Sequence, residues 1–157
     1  MTAVGITGHQ TLSTPTRRSV TDVVSERLRR LGAVVGISSL ASGADQLFAE
    51  CVVRSGGRIV VVVPSAGYET TFEDADTLEV YRKYLSLAVE VVELPFETPT
   101  EEAFFAAGKE VVDRSDLLLA IWDGEPPKGL GGTADVVSYA RARGTPVEII
   151  WPFGSSR

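Results

Sequence analysis

The sequence predicts an α/β fold, a single doubly wound domain built on a mainly parallel sheet of about six strands. Three observations lead there. The chain has 157 residues, room for one ordinary domain and little for a second with its own core. Hydrophobic residues make up 44% and charged residues 23%, enough apolar side chain to build a core and to exclude disorder as the main state. Short apolar runs alternate with longer stretches of helical period, the chain order of parallel strands joined by crossover helices. No repeat, low-complexity tract or linker interrupts the pattern before Gly154-Ser155-Ser156-Arg157, so residues 1–153 are expected to form the domain and 154–157 a flexible tail.

Strands are expected near residues 3–7, 34–38, 59–63, 89–94, 117–122 and 147–151. Several are continuously apolar, as in Ile59-Val60-Val61-Val62-Val63, which suits strands covered on both faces. Between the first two, Thr14-Pro15 supplies a cap and a first-turn proline, and Val20, Val24, Leu28 and Leu31 make one apolar stripe. A second helix begins near Ser42 with Asp45 in its first turn, buries Leu47, Phe48, Cys51 and Val52, and stops at Gly56-Gly57. A third, over 77–88, has Leu78, Tyr81 and Leu85 at helical spacing. A fourth opens at Thr100-Glu101-Glu102 and runs through Phe104, Val111 and Val112. The fifth starts at Gly132-Thr133, carries Val136, Val137 and Ala140, and ends at Gly144 before Pro146.

Charge and composition narrow the function classes. With 21 acidic against 15 basic side chains and a net charge of -6, the chain lacks the general electrostatic footprint of a duplex nucleic-acid or anionic-membrane binder. Neither nucleic acid nor membrane is expected as a partner. Arg17, Arg18, Arg27, Arg29 and Arg30, all on the first helix, are expected to form a solvated face. The single cysteine, Cys51, cannot make an internal disulfide, and the single histidine, His9, cannot supply a Cys/His zinc cluster. A cytoplasmic protein without metal or cofactor is the expectation. The longest β-branched block, 59–63, is too short to cross a bilayer.

In a parallel sheet the strand-to-helix loops emerge at one edge, and ligands bind there near the reversal of strand order. Gly129, Gly131 and Gly132 precede the fifth helix, whose N–H groups and positive dipole end would favour a phosphate approached closely through glycine. Thr133 could add a hydroxyl, Lys128 a cation, and Asp135 could accept from a ribose hydroxyl or simply complement the helix dipole. The alternative is a plain turn and a helix start. The stretch is neither a P-loop nor the dinucleotide fingerprint. After the second strand, Ser42 as cap and the small Gly43 and Ala44 lead to Asp45, a ligand-facing turn or only a capped helix. Gly8 and His9 follow the first strand, where the imidazole could donate to a ligand or serve structure. Pro64 and Ser65 follow the third. Tyr68 and Trp122 could stack on a base from neighbouring loops, but Trp122 ends an apolar strand and is expected in the core. Asp113, Arg114 and Asp116 lie at the opposite edge and are expected to form a solvated helix-end cluster.

At these motifs the chain resembles the SLOG superfamily, a Rossmann-like group that includes DNA-processing protein A, the Lonely Guy phosphoribohydrolases and nucleotide-sensing domains. Ser39-Leu40-Ala41-Ser42-Gly43-Ala44-Asp45 is similar to the family's Ser-Gly-x-Ala-x-Gly-x-Asp turn. Ser115-Asp116, an apolar strand and Gly131-Gly132-Thr133 are similar to its second signature. The phosphoribohydrolases carry Pro-Gly-Gly-x-Gly-Thr-x-x-Glu and an Arg-Lys pair; here the glutamate position falls on Val136, one after Asp135, and the Arg-Lys position near Ala107-Gly108.

The resemblance implies a nucleotide or nucleotide-derived ligand, bound at the C-terminal edge of the sheet in a sensing role. Gly131, Gly132 and Thr133 would take the phosphate, and Asp45 or Asp135 the sugar hydroxyls. The alternative it implies is an N-glycosidase acting on nucleoside monophosphates, with Asp135 as its catalytic carboxylate. A homodimer is expected from the habit of such relatives and from the apolar pair Phe104-Phe105.

Overall fold

The computed structural model describes residues 1–126, 132–152 and 155. Six strands, β1 (Thr2–Gly8), β2 (Val34–Ser38), β3 (Arg58–Val63), β4 (Glu90–Glu93), β5 (Leu117–Ile121) and β6 (Val147–Ile150), alternate with five helices. These are α1 (Thr14–Leu31), α2 (Ala44–Arg54), α3 (Ala75–Leu87), α4 (Glu101–Asp113) and α5 (Thr133–Arg143). The sheet runs β4-β3-β2-β1-β5-β6 and every adjacent pair is parallel, so the mainly parallel sheet expected from sequence is entirely so.

That order explains the two layers of helix. The chain leaves β1 in one direction through β2, β3 and β4, then returns to its other side for β5 and β6. Parallel crossovers are right-handed, so α1, α2 and α3 cover one face and α4 and α5 the other. Strand alternation divides the core accordingly. Val4, Ile6, Ile59, Val61 and Val63 pack with Val20, Val24, Leu28, Leu47, Phe48 and Tyr81. Val60, Val62 and Leu118 pack with Ala107, Val111, Val112, Val136 and Ala140 on the opposite face. Gly5 also points that way; a Cβ there would sit 2.8 Å from Val111 Cγ1, so α4 rides directly on the β1 backbone.

The helix starts differ from the sequence reading. Ser13, not Thr14, caps α1, its hydroxyl accepting from Thr16 N at 3.4 Å. Asp74 caps α3 through a 2.7 Å bond from Thr77 N, which moves the start to Ala75. At α2 the cap is Gly43 rather than Ser42, without a side-chain bond, because Gly43 (φ 80°, ψ -123°) is tucked under the preceding loop. There Ala44 N donates to the His9 carbonyl at 3.0 Å.

Surface charges behave as solvated groups. Glu26 pairs with Arg29 and Arg30 on α1, and Arg27 joins Glu148 of β6. At the N-terminal edge of the sheet Asp113 pairs with Arg143 at 2.9 Å, and Asp116 accepts from Ala3 N at 2.9 Å. Phe104 and Phe105, expected to be displayed, are half-buried. Phe104 lies 6.2 Å from the Tyr68 ring, and Phe105 lies 6.5 Å from Tyr139 with Lys109 Nζ 4.8 Å above it. Among the described residues no helix is long and apolar enough to cross a membrane. Of the segment 154–157 expected as a tail, only Ser155 lies within the described residues.

Candidate functional site

β1 is the strand from which the chain departs in both directions, and beyond its C-terminal end a cleft of about 620 Å³ opens between the two helical layers. Every strand-to-helix loop contributes to its lining, as the crevice rule for open α/β sheets requires. The volume falls in the range of small-molecule sites, roughly 300–1,000 Å³.

One wall is the turn from β2 into α2. Leu40 stands at its centre with φ 58°, a left-handed conformation that costs a leucine roughly 1–2 kcal/mol. The surroundings hold it there. Leu40 N donates to Ser38 Oγ at 2.9 Å, and its carbonyl accepts from Gln46 Nε2 at 3.1 Å. Gln46 Nε2 also donates to the Thr77 carbonyl at 2.9 Å, and Tyr68 Oη donates to the Ser39 carbonyl at 2.9 Å. Asp45 closes the turn, with Oδ2 accepting from Ala41 N at 3.3 Å. Its side chain is buried yet lines the cleft. Burial pushes the Asp45 carboxyl up to about 7, against the opposing pull of the Ala41 and Ser39 backbone and the Ser38 hydroxyl.

The opposite wall is apolar. Phe104, Ala107, Gly108 and Val111 of α4 and Val136 of α5 line this side of the cleft. A Cβ on Gly108 would lie 2.6 Å from Val136 Cγ2, so the two helices touch at this point.

The third side is the β5–α5 connection, stitched to the β1–α1 loop. Asp123 N donates to His9 Nε2 at 3.1 Å, and Asp123 Oδ1 lies 3.3 Å from the same nitrogen. The imidazole also stands edge-on to Trp151, centroids 5.3 Å apart. Trp122 Nε1 donates to the Glu125 carbonyl at 3.0 Å. Gly132 then caps α5 without a side-chain bond, presenting the positive end of that helix to the cleft.

Of the residues singled out from sequence, Gly8, His9, Ser42, Asp45, Pro64, Gly132 and Thr133 line this one cleft. Gly43 lines an adjoining pocket of about 290 Å³. Ser65 is buried away from the cleft lining, its hydroxyl donating to the Ala66 carbonyl at 2.9 Å. Asp135, in the first turn of α5, does not line the cleft either. Lys128 and Gly131 lie outside the described residues. Gly8 has a packing reason of its own, since a Cβ would come within 2.5 Å of Ala44 Cβ and 2.9 Å of Ile121 Cβ.

Two aromatic expectations are corrected. Trp122 is not core: β5 ends at Ile121, and the indole lies half-exposed at the cleft. Tyr68 is not a free stacking platform. It is 5% exposed and edge-on to Phe72, Tyr81 and Phe104, so its ring belongs to the packing that supports the Ser39 turn. The sequence reading did not make α4 a wall of the cleft, although the resemblance set its Arg-Lys position near Ala107-Gly108. A further signal was the run Ala106-Ala107-Gly108, small residues where a helix lets something approach closely. Among the described residues no group of three or more His, Cys, Asp or Glu is placed to hold a metal ion.

No family model matches the chain, and no curated protein does. Solved structures do match. DNA processing protein A from Streptococcus pneumoniae superposes with a TM-score of 0.72 at 18% identity, over 97% of this chain and 51% of that one. DNA processing protein A from Helicobacter pylori, a structure described for its single-stranded DNA binding mode, gives 0.71 at 17% identity, over 99% and 68%. The molybdenum cofactor binding protein from Rippkaea orientalis gives 0.57 at 17% identity, over 94% and 75%. The fold is the SLOG-type Rossmann-like fold.

At such identities the likeness is one of fold, and the chain spans about half the length of the Streptococcus pneumoniae protein. It nonetheless overturns the exclusion of nucleic acid drawn from a net charge of -6. A SLOG-type domain is found in a protein described for binding single-stranded DNA, and net charge sums the whole surface without reporting the potential inside one groove. Of the stretches that carried the resemblance, Ser39, Ala41, Ser42, Asp45, Gly132 and Thr133 line the cleft, whereas Asp116 lies at the opposite edge of the sheet.

Proposed function

We propose that the cleft binds a nucleotide or nucleotide-derived ligand in a sensing role. The observation that carries the reading is the convergence on one ligand-sized space of the open α5 N-terminus and the braced turn that holds Asp45. In this reading the phosphate lies against Gly132 and Thr133, where the helix dipole and backbone N–H groups favour an anion, and Gly131 and Lys128, outside the described residues, are the further phosphate contacts proposed from sequence. Asp45 and Ser42 face the sugar hydroxyls. Gly8, His9 and Pro64 shape the mouth, Gly43 and Ser65 support it from behind, and the apolar α4 wall takes the flat face of the base.

Hydrolysis is not part of the proposal. The positions matching the phosphoribohydrolase glutamate and Arg-Lys pair hold Val136, Ala107 and Gly108, all lining the cleft, while Asp135 is outside it. A carboxylate displaced by one helical step, about 100°, cannot serve the same reacting atom. Cytoplasmic residence is part of the same reading, supported by the single unpaired Cys51.

The test is thermal stabilisation by a nucleotide panel, with Gly132→Val as the control. Gly132 sits at φ -70° and ψ 172°, which valine can adopt, so the backbone conformation does not oppose the substitution, and the reading has the added side chain take the place of the phosphate. At 100 times its dissociation constant a ligand adds about 2.7 kcal/mol, a shift of several degrees. Loss of that shift in Gly132→Val, with an unchanged melting point of the free protein, supports the reading. Full stabilisation of the variant rejects it.

A further inference from the structure

Among the described residues no cation is paired with Asp45. Its carboxyl lies in a ligand-sized cleft, buried, on a turn whose strain at Leu40 is held by Ser38, Gln46 and Tyr68. Among the described residues that line the cleft there is no lysine or arginine. The titratable groups that do line it are His9, facing Asp123 on the far side, Glu125 in the β5–α5 connection, and Tyr68, whose hydroxyl is committed to the Ser39 carbonyl. The donors that reach Asp45 come from its own turn, at Ser38, Ser39 and Ala41.

We propose that ligand binding at this cleft is proton-linked through Asp45: the hydroxyls of a ribose displace a proton from the carboxyl to solvent and take its place as donors. The selection is then for ribose over 2′,3′-dideoxyribose, and it strengthens as pH rises. The inference rests on the nucleotide reading above.

The free carboxyl is held near 7 by desolvation, which disfavours its charged form. Hydroxyl donors favour the charged form, so the bound protein has the lower value. Affinity therefore rises with pH between the bound and free values and levels off above about 7. For a bound value roughly one unit or more below the free one, a ribonucleotide binds about five- to tenfold more tightly at pH 8 than at pH 6. A dideoxynucleotide has no donors to offer and follows only the titration of its own phosphate, which is common to both ligands.

The experiment is calorimetric titration of the intact protein with the four ribonucleoside 5′-monophosphates and their 2′,3′-dideoxy counterparts. It runs from pH 6 to 8.5, and near pH 6.5 it is repeated in two buffers of different ionisation enthalpy. The expected result is a pH-dependent gain for the ribonucleotides alone, with buffer-dependent heats reporting proton release. Asp45→Asn, which cannot release a proton, is expected to bind ribonucleotides more weakly and without the pH gain. Equal pH profiles for ribo and dideoxy ligands, or a gain that survives in Asp45→Asn, would overturn the inference while leaving the nucleotide reading intact. Absence of binding by every nucleotide at every pH would remove that reading and this inference together.

Discussion

Replacing Gly43 by alanine is expected to be among the most damaging single-methyl changes in this protein. Gly43 sits at φ 80° and ψ -123°, a region in which a side chain is strained by roughly 1–3 kcal/mol. The new Cβ would also lie 2.5 Å from the His9 carbonyl oxygen and 2.5 Å from the Gln10 carbonyl carbon. Those are backbone atoms of the β1–α1 loop, so they yield only by moving the loop, at roughly 1–3 kcal/mol more. The sum, about 2–6 kcal/mol, is a large part of a domain stability of about 5–15 kcal/mol. In a domain of this size it lowers the melting point by roughly 5–20 °C. Gly144→Ala separates the two causes. Gly144 also has a positive φ, 83°, but an added Cβ meets nothing within 4 Å, so only the strain of about 1–2 kcal/mol applies. Calorimetric melting with urea titration at constant slope measures both variants. A Gly43→Ala cost no larger than that of Gly144→Ala would refute the argument that this glycine holds the two cleft loops together.

Three further outcomes follow from other parts of the fold. Asp74→Ala removes the cap that accepts from Thr77 N at 2.7 Å and is expected to cost about 1 kcal/mol in urea unfolding. Glu148→Gln weakens the pair with Arg27, whose side chains are 34% and 37% exposed; its cost is expected to stay below about 1 kcal/mol and to vanish at high salt. Asp45, raised in the fold from 3.8 to about 7, keeps its proton longer folded than unfolded. Stability therefore falls as pH rises from about 4 to about 7 and is level above. Between pH 6 and 8 the wild type should lose about 1.4 kcal/mol that Asp45→Asn does not lose, as read from paired urea titrations.

What was legible in the sequence was what burial on both faces imposes. Ile59-Val60-Val61-Val62-Val63 and Leu117-Leu118-Leu119 have no polar face to mislead, and each became a strand of the parallel sheet. The C-terminal stop of α5 was equally plain, because Gly144 adopts the left-handed conformation that ends a helix. Helix starts were less so. Ser13 and Thr14 are both competent caps, and only the chain's approach to α1 selects Ser13. Gly43 replaced Ser42 because a neighbouring loop, distant in sequence terms, occupies the space beneath it. Trp122 and Tyr68 exchanged their expected places for a similar reason. One residue after a buried strand the chain leaves the core, whereas Tyr68 is drawn in by rings from α3 and α4. The α4 wall of the cleft was hidden because small residues inside a helix carry no periodic signal, and their meaning appears only when Val136 lies against them.

The most direct test of the nucleotide-binding cleft is amide chemical-shift mapping of the intact, isotope-labelled protein during titration with a ribonucleoside 5′-monophosphate. The account predicts that the largest, saturable shifts cluster at Gly8, Ser42, Asp45, Gly132 and Thr133, residues from three separate loops that line one cleft. Shifts that saturate elsewhere, such as the N-terminal edge around Asp113 and Arg143, or none across the full set of nucleotides, would contradict it.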